Sequence, residues 1–128
     1  MTSTKQKILI IEDDMYIRDV YEEILKKAGY EITTAVDGQE GIVKAQEGGY
    51  SLILLDVMMP KLDGLGVLRE LKDSPPKQTN GHIVLLTNLA HNTIIEEAQK
   101  LGAWTYFVKS DLNPDELVEK VKKVLQTT

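Results

Sequence analysis

Short runs of apolar, β-prone residues alternate along this chain with segments whose apolar residues recur at helical spacing. The clearest runs are residues 8–11, 52–55 and 83–86, and weaker strand patterns cover residues 31–36 and 105–108. Unbroken apolar runs are typical of central strands in a parallel sheet, because helices cover both faces of such a sheet. Five predicted strands in alternation with five predicted helices therefore indicate an α/β fold with right-handed crossovers.

The predicted helices occupy residues 17–28, 39–46, 65–72 and 92–101, and a final helix begins at Pro114. In the first of them apolar residues recur at steps of three and four, which predicts one buried face. Proline is tolerated in the first turn of a helix, which suits Pro114. Residues 73–81 contain two consecutive prolines and many polar side chains, so we expect a loop there.

The composition excludes several classes of protein. The chain has 128 residues, 20 acidic and 15 basic side chains, a formal net charge of −5 and no cysteine. This length suits one domain, and the lack of cysteine excludes a disulfide scaffold, a cysteine-ligated zinc site and a thiol nucleophile. The acidic balance argues against direct nucleic-acid binding. No apolar run exceeds four residues, and residues 1–7 lack the apolar region of a signal peptide, so we expect no membrane insertion and a cytoplasmic location.

Polar residues follow the predicted strands at the edge of the sheet where such folds bind their ligands. They are Glu12, Asp13, Asp14, Asp56, Thr87 and Lys109. Carboxylates that converge repel one another unless a cation joins them, and Mg²⁺ is the hard, oxygen-seeking choice. Together these residues predict acids for Mg²⁺, one acid that can accept a phosphoryl group, and a Thr and a Lys that can hold that group.

Each of these residues also has a purely structural interpretation. Glu12 to Asp14 can form a solvated turn in which Asp14 caps the first helix, and Asp56 can cap the turn that follows it. Lys109 can be an ordinary exposed lysine. Thr87 can have no role beyond its place in a strand, which its β-branched side chain favours. Asp56 is the hardest to dismiss, since it directly follows a buried strand, where an unpaired charge is costly.

Five segments resemble the receiver domain of two-component response regulators. They are residues 8–14, 54–60, 63–64, 85–87 and 106–109, in order and at the usual spacing. The resemblance covers residues 7 to about 125, and it implies a single receiver domain over residues 1–128. It also implies a doubly wound, flavodoxin-like (CheY-like) fold: a five-stranded parallel sheet in the order 2-1-3-4-5 with five helices.

The resemblance implies a metal site and a phosphoacceptor. Asp56 would be the phosphoacceptor, and Asp13, Asp56 and the backbone carbonyl of Met58 would bind Mg²⁺ or Mn²⁺ directly. Glu12 would bind the metal through water. The phosphoryl group would come from a sensor histidine kinase or a phosphotransfer protein, and the chain would be no enzyme beyond assisting its own phosphorylation and dephosphorylation.

The resemblance also implies a switch. Lys109 and Thr87 would contact the phosphoryl oxygens, and Tyr106 would turn inward as Thr87 moves toward them. The output would be the surface of helix 4, strand 5 and helix 5, read by a downstream protein or effector domain. A phosphorylation-dependent dimer stays open, because Trp104 and Thr105 stand where many DNA-binding relatives carry acidic residues.

Two further departures from the family pattern lead to hypotheses. Ser110 stands where many relatives have a proline, often after a cis bond, which leaves the isomer of the bond after Lys109 open. Met58 and Leu89 are apolar residues beside the site, and we expect them to hinder the water that removes the phosphoryl group.

Two other functions compete with the switch. A phosphohydrolase of the haloacid dehalogenase type requires Asp-x-Asp after its first strand, whereas this chain has Glu12 and Asp14 in those places. A pseudo-receiver that only binds other proteins usually lacks the acceptor, the acids or the lysine, and this chain has all of them. The sequence fits both a stand-alone receiver and one domain of a longer regulator.

Overall fold

A computed structural model of the chain describes residues 5–88 and 92–127. Its elements, in order, are β1 (Lys7–Ile11), α1 (Met15–Lys27), β2 (Glu31–Ala35), α2 (Gly38–Glu47), β3 (Leu52–Asp56), α3 (Gly64–Asp73), β4 (His82–Thr87), α4 (Asn92–Lys100), β5 (Thr105–Val108), a 3₁₀ turn (Lys109–Asp111) and α5 (Pro114–Gln126). The strands are parallel in the order β2-β1-β3-β4-β5. The predicted alternation, the parallel sheet and the strand order are confirmed.

The sheet separates two apolar clusters because successive side chains of a strand point to opposite faces. Leu9, Ile11, Ile53 and Leu55 lie in one cluster, which α2, α3 and α4 help to form. The alternate residues of the same strands lie in the other cluster, together with side chains of α1 and α5. The unbroken apolar runs of residues 8–11 and 52–55 are therefore fully buried, as central strands covered on both faces should be, whereas Ile83 at the start of the third run is only partly buried.

Side-chain caps place the start of several helices at the carboxyl edge of the sheet. Asp14 accepts a hydrogen bond from the backbone N–H of Ile17, and Asp37 and Asp63 cap α2 and α3 in the same way. The interpretation of Asp14 as a cap is confirmed. Helix α1 begins at Met15, two residues before the predicted start. The sequence pattern missed these two residues because they are exposed and do not belong to the buried apolar face.

The remaining differences from the sequence-based bounds are small. Strand β3 includes Asp56, so this carboxylate belongs to the sheet instead of the loop after it. Strand β4 gains one residue at each end, and the sequence pattern does not predict the 3₁₀ turn after β5. No cis peptide bond occurs in the part of the chain that the structure describes, so the bond between Lys109 and Ser110 is trans. Among the described residues, none of the helices combines the length and the hydrophobicity that a membrane span requires.

Candidate metal centre at the carboxyl edge of the sheet

The strand order brings the predicted site residues together. Ile11 of β1 is level with Leu55 of β3, and Asp56 is level with Leu86 of β4, so the ends of these strands meet at one edge. Buried polar residues among those that the structure describes are Glu12, Asp56 and Thr87, which are 0%, 3% and 5% exposed. All three lie at this edge. Burial of polar groups is costly, so their concentration at one place marks a site built for chemistry.

Lys109 joins the two buried carboxylates. Its Nζ lies 2.6 Å from Oε1 of Glu12 and 3.2 Å from Oδ1 of Asp56, and its side chain is only 9% exposed. One ammonium group therefore compensates two carboxylates. The predicted proximity of Lys109 to Asp56 is confirmed, and the interpretation of Lys109 as an ordinary exposed lysine is wrong.

The charge imbalance shifts the ionisation of the buried groups. Burial, together with the neighbouring Glu12, raises the pKa of Asp56 to about 8, against the opposing effects of Lys109 and of the Met58 N–H. For Lys109, burial alone would lower the pKa, but Glu12 and Asp56 outweigh burial and raise it. Without a further cation, the site thus favours a proton on Asp56 and a charge on Lys109.

Three carboxylates of this edge can hold one cation. Oxygen atoms of Glu12, Asp13 and Asp56 all lie within 4.8 Å of one another. Asp13 is exposed, so the cluster opens to solvent on its side. An all-oxygen donor set of this kind fits Mg²⁺ or Mn²⁺, which prefer carboxylates and keep bound water. The residues that were predicted to bind metal through their side chains are therefore brought together, whereas Asp14 lies outside this cluster.

The loop after β3 and the start of α3 lie close to Asp56, the last residue of β3. The backbone N–H of Met58 donates to Oδ1 of Asp56 at 3.1 Å, which orients that carboxylate. Gly64 donates its N–H to the Val57 carbonyl, and a Cβ on Gly64 would stand 2.8 Å from the Asp56 carbonyl oxygen. Only glycine permits this approach. Met58 is 65% exposed beside the site, and Leu89 lies outside the described residues.

The two predicted switch residues lie on neighbouring strands. Thr87 ends β4 and pairs in register with Val108 of β5. Tyr106 is half-buried and packs against the cluster that contains Leu85 and Ala98. Both positions are compatible with the roles that the resemblance implies, and those roles stay predictions.

The sequence pattern places Arg18 on the exposed side of α1, as a candidate for kinase docking, and misses its contact with the site. Its Nη1 donates to the backbone carbonyl of Glu12 at 2.9 Å and to that of Asp13 at 3.4 Å. The guanidinium group thus holds the backbone of the two acids that follow β1. Helical side chains point back toward the N-terminus of their helix, and this direction is the signal that could have identified Arg18.

Comparisons with known proteins agree with this geometry. Residues 8–122 match the model of a family described as the response regulator receiver domain. The chain is 39% identical over its whole length to a probable transcriptional regulator ycf27 of Cyanophora paradoxa, and it covers 52% of that protein. It is 32% identical to the chemotaxis protein CheY of Treponema pallidum, and this match covers 94% of the chain and 83% of that protein. It spans about half the length of the first curated relatives.

A solved structure with the same fold carries a metal. The response regulator TrrA of Thermotoga maritima, crystallised in complex with Mg²⁺ and BeF, is 39% identical to this chain, with a TM-score of 0.76. The alignment covers 93% of this chain and 98% of TrrA. The chemotaxis protein CheY4 of Vibrio cholerae gives a TM-score of 0.83 at 32% identity, over 94% of this chain and 99% of that one.

Proposed function

Because the chain belongs to the response regulator receiver domain family, we propose that it is a signalling switch whose phosphoacceptor is Asp56. One observation carries this proposal: Asp56 is a buried carboxylate that lies 3.2 Å from a buried ammonium group and forms part of a three-carboxylate cluster. A buried acid with a cationic neighbour and an adjacent cation site is suited to accept and hold a phosphoryl group.

The reaction we propose is a phosphoryl transfer. An oxygen of Asp56 forms a bond to phosphorus, the bond between phosphorus and a histidine nitrogen of the donor breaks, and that nitrogen keeps the electron pair. The acceptor carboxylate must be ionised, so a proton held on Asp56 has to leave first. The Met58 N–H and the Lys109 ammonium group orient the carboxylate and stabilise the product.

The metal we propose is Mg²⁺ or Mn²⁺, held by Asp13 and Asp56 directly and by Glu12 through water. When bound, the cation supplies positive charge against the phosphoryl oxygens. The chain's own contribution is to hold the three carboxylates close together and to tie the backbone of Glu12 and Asp13 to Arg18. We propose the backbone carbonyl of Met58 as a further ligand because the resemblance to receiver domains implies it.

The switch follows from the charge that phosphorylation adds. A phosphoryl group brings nearly two negative charges to a site where one ammonium group already compensates two acids. Lys109 and Thr87 then reorganise around the new oxygens, and Tyr106 follows toward the space that Thr87 leaves. We place the output on the surface of α4, β5 and α5, where Trp104 is exposed and stacks on His82 with 4.3 Å between ring centroids.

We infer a cytoplasmic partner at each end of the pathway: a histidine kinase or phosphotransfer protein as donor, and an effector domain or protein as receiver of the signal. The chain acts as a substrate and switch and not as an enzyme with turnover. Similarity to transcriptional regulators of about twice its length supports an effector that binds DNA. The meeting of the acceptor, the acids and the lysine favours the switch over a pseudo-receiver that only binds other proteins.

Intact-mass analysis tests the proposal. The full chain is incubated with acetyl phosphate and Mg²⁺, and we expect the addition of one phosphoryl group that hydroxylamine removes, as it removes acyl phosphates. The Asp56→Asn variant should gain nothing, whereas Asp111→Asn, an exposed aspartate of the 3₁₀ turn, should react like the wild type. No addition to the wild type, or an addition that persists in Asp56→Asn, would contradict the proposal.

A further inference from the structure

A cavity lies at the opposite edge of the sheet from the metal centre. It occupies about 530 Å³ between the end of α3, the segment of residues 74–81, the start of β4 and the turn after α4. Pockets for small molecules usually have volumes of roughly 300–1,000 Å³. The walls are mostly apolar, and their apolar side chains are Leu68, Leu71, Pro75, Pro76, Ile83 and Leu101.

Hydrogen bonds to residues outside the cavity hold the segment of residues 74–81, which forms one of its walls. Asn80 accepts a hydrogen bond from the Tyr50 N–H and donates one to the Ala45 carbonyl, and Gly81 donates to the Tyr50 carbonyl at 2.7 Å. Neither Tyr50 nor Ala45 lines the cavity. The segment of residues 74–81 is therefore held by contacts that a ligand would leave intact. A ligand entering here meets a preformed pocket and need not order the loop, which lowers the cost of binding.

The cavity is lined by basic residues in a chain that is acidic overall. Lys72 and Lys100 line it from the last turns of α3 and α4, both are exposed and so lie on its solvent side, and no carboxylate is among the lining residues. Within residues 5–88 and 92–127, neither lysine forms an ion pair. The net charge of the chain is −5, so this local excess of positive charge stands against the average surface. Apolar walls below two ammonium groups complement an amphipathic anion.

We propose that this cavity binds a small organic anion with an apolar body, such as a medium-chain carboxylate. The apolar part would lie against Leu68 and Ile83, and the acid group would lie at the mouth near Lys72 and Lys100. The inference does not depend on phosphorylation of Asp56, because none of the residues that line the cavity belongs to the metal centre.

Titration of the ¹⁵N-labelled full chain with octanoate tests this site. We expect saturable shifts of the amide signals of Gly81, Ile83 and Gly102, which line the cavity. Octanoate should bind about ten-fold more tightly than 1-octanol at low ionic strength, because two exposed ion pairs add modestly to the same apolar burial. Inorganic phosphate should leave these signals in place. Shifts that do not saturate, equal binding of octanol, or a response to phosphate alone would overturn the inference.

Two variants separate a built site from general attraction to lysines. In the Lys72→Gln/Lys100→Gln double variant, the preference for octanoate over octanol should disappear. Lys123→Gln is the matched control, since Lys123 occupies the last turn of α5 as Lys72 and Lys100 occupy those of α3 and α4. It should keep the preference. A preference that survives in the double variant, or an equal loss in Lys123→Gln, would exclude the proposed site.

Discussion

Replacing Asp56 by asparagine should change how the stability of the metal-free protein depends on pH. The folded chain holds the pKa of Asp56 at about 8, mainly through burial, against 3.8 for the ordinary group. Between these values the folded protein keeps a proton that the unfolded chain releases. Raising the pH therefore favours the unfolded state, and the stability present at low pH is lost progressively as the pH approaches 8.

The size of the effect follows from the proton difference. One proton held only by the folded state costs about 1.4 kcal/mol of unfolding free energy per pH unit, so about 3 kcal/mol is lost between about pH 5 and pH 7. Asparagine keeps the amide oxygen that can accept from the Met58 N–H but has no proton to release. Between pH 5 and pH 7, the unfolding free energy of Asp56→Asn should therefore rise by about 3 kcal/mol relative to that of the wild type.

Urea unfolding followed by circular dichroism, with EDTA present, measures this difference. Subtracting the unfolding free energy of the wild type from that of Asp56→Asn at each pH cancels the contribution of groups that titrate alike in both proteins. The Asp111→Asn variant controls for the loss of an exposed carboxylate. Mg²⁺ should stabilise the wild type more at pH 7 than at pH 5, because the cation competes with the proton on Asp56, and it should stabilise Asp56→Asn far less. A difference between the two proteins that stays constant from pH 5 to pH 7 would refute the reasoning.

Three other substitutions test single contacts. Arg18→Met should weaken Mg²⁺ binding in a calorimetric titration while the unfolding free energy changes by only about 1 kcal/mol, since it removes one guanidinium link to the backbone; unchanged affinity would exclude the positioning role. Met58→Asn should shorten the half-life of the phosphorylated protein, and a slower loss would contradict the shielding hypothesis. Lys109→Gln should lower the unfolding free energy by about 3 kcal/mol in urea, because Glu12 loses its buried partner; near-neutral behaviour would refute that pairing.

The fold and the centre of the site could be predicted because few alternatives satisfy the sequence. Unbroken apolar runs such as residues 52–55 need cover on both faces, and parallel strands joined by helices supply it. Once the strands are parallel, their carboxyl ends must share an edge, and Asp56 and Lys109 must lie there. The order of the strands is different: it came from the resemblance, because periodicity alone does not say which strand lies beside which.

The contacts that escaped prediction depend on side-chain reach or on distant segments. Arg18 has the sequence pattern of an exposed helical residue, and only the folded chain brings the backbone carbonyls of Glu12 and Asp13 within its reach. The cavity at the other edge needs the segment of residues 74–81 to be held by Tyr50, thirty positions before Asn80. No local pattern encodes either contact. The roles of Thr87 and Tyr106 stay predictions for a related reason, since they describe a second state of the molecule.

The aspartate caps concentrate negative charge at one edge of the sheet. Helices α1, α2 and α3 start on aspartate caps at the carboxyl edge, and each of α1 to α5 carries a lysine in its last turn, at the opposite edge. The acids of the metal centre add to the negative charge of the carboxyl edge, whereas at the opposite edge Lys26 and Lys27 pair with Glu22 and Glu23 of their own helix. In an encounter, this negative charge would attract a positively charged partner toward the phosphoacceptor edge before any contact forms, and added salt would slow that encounter by screening the attraction.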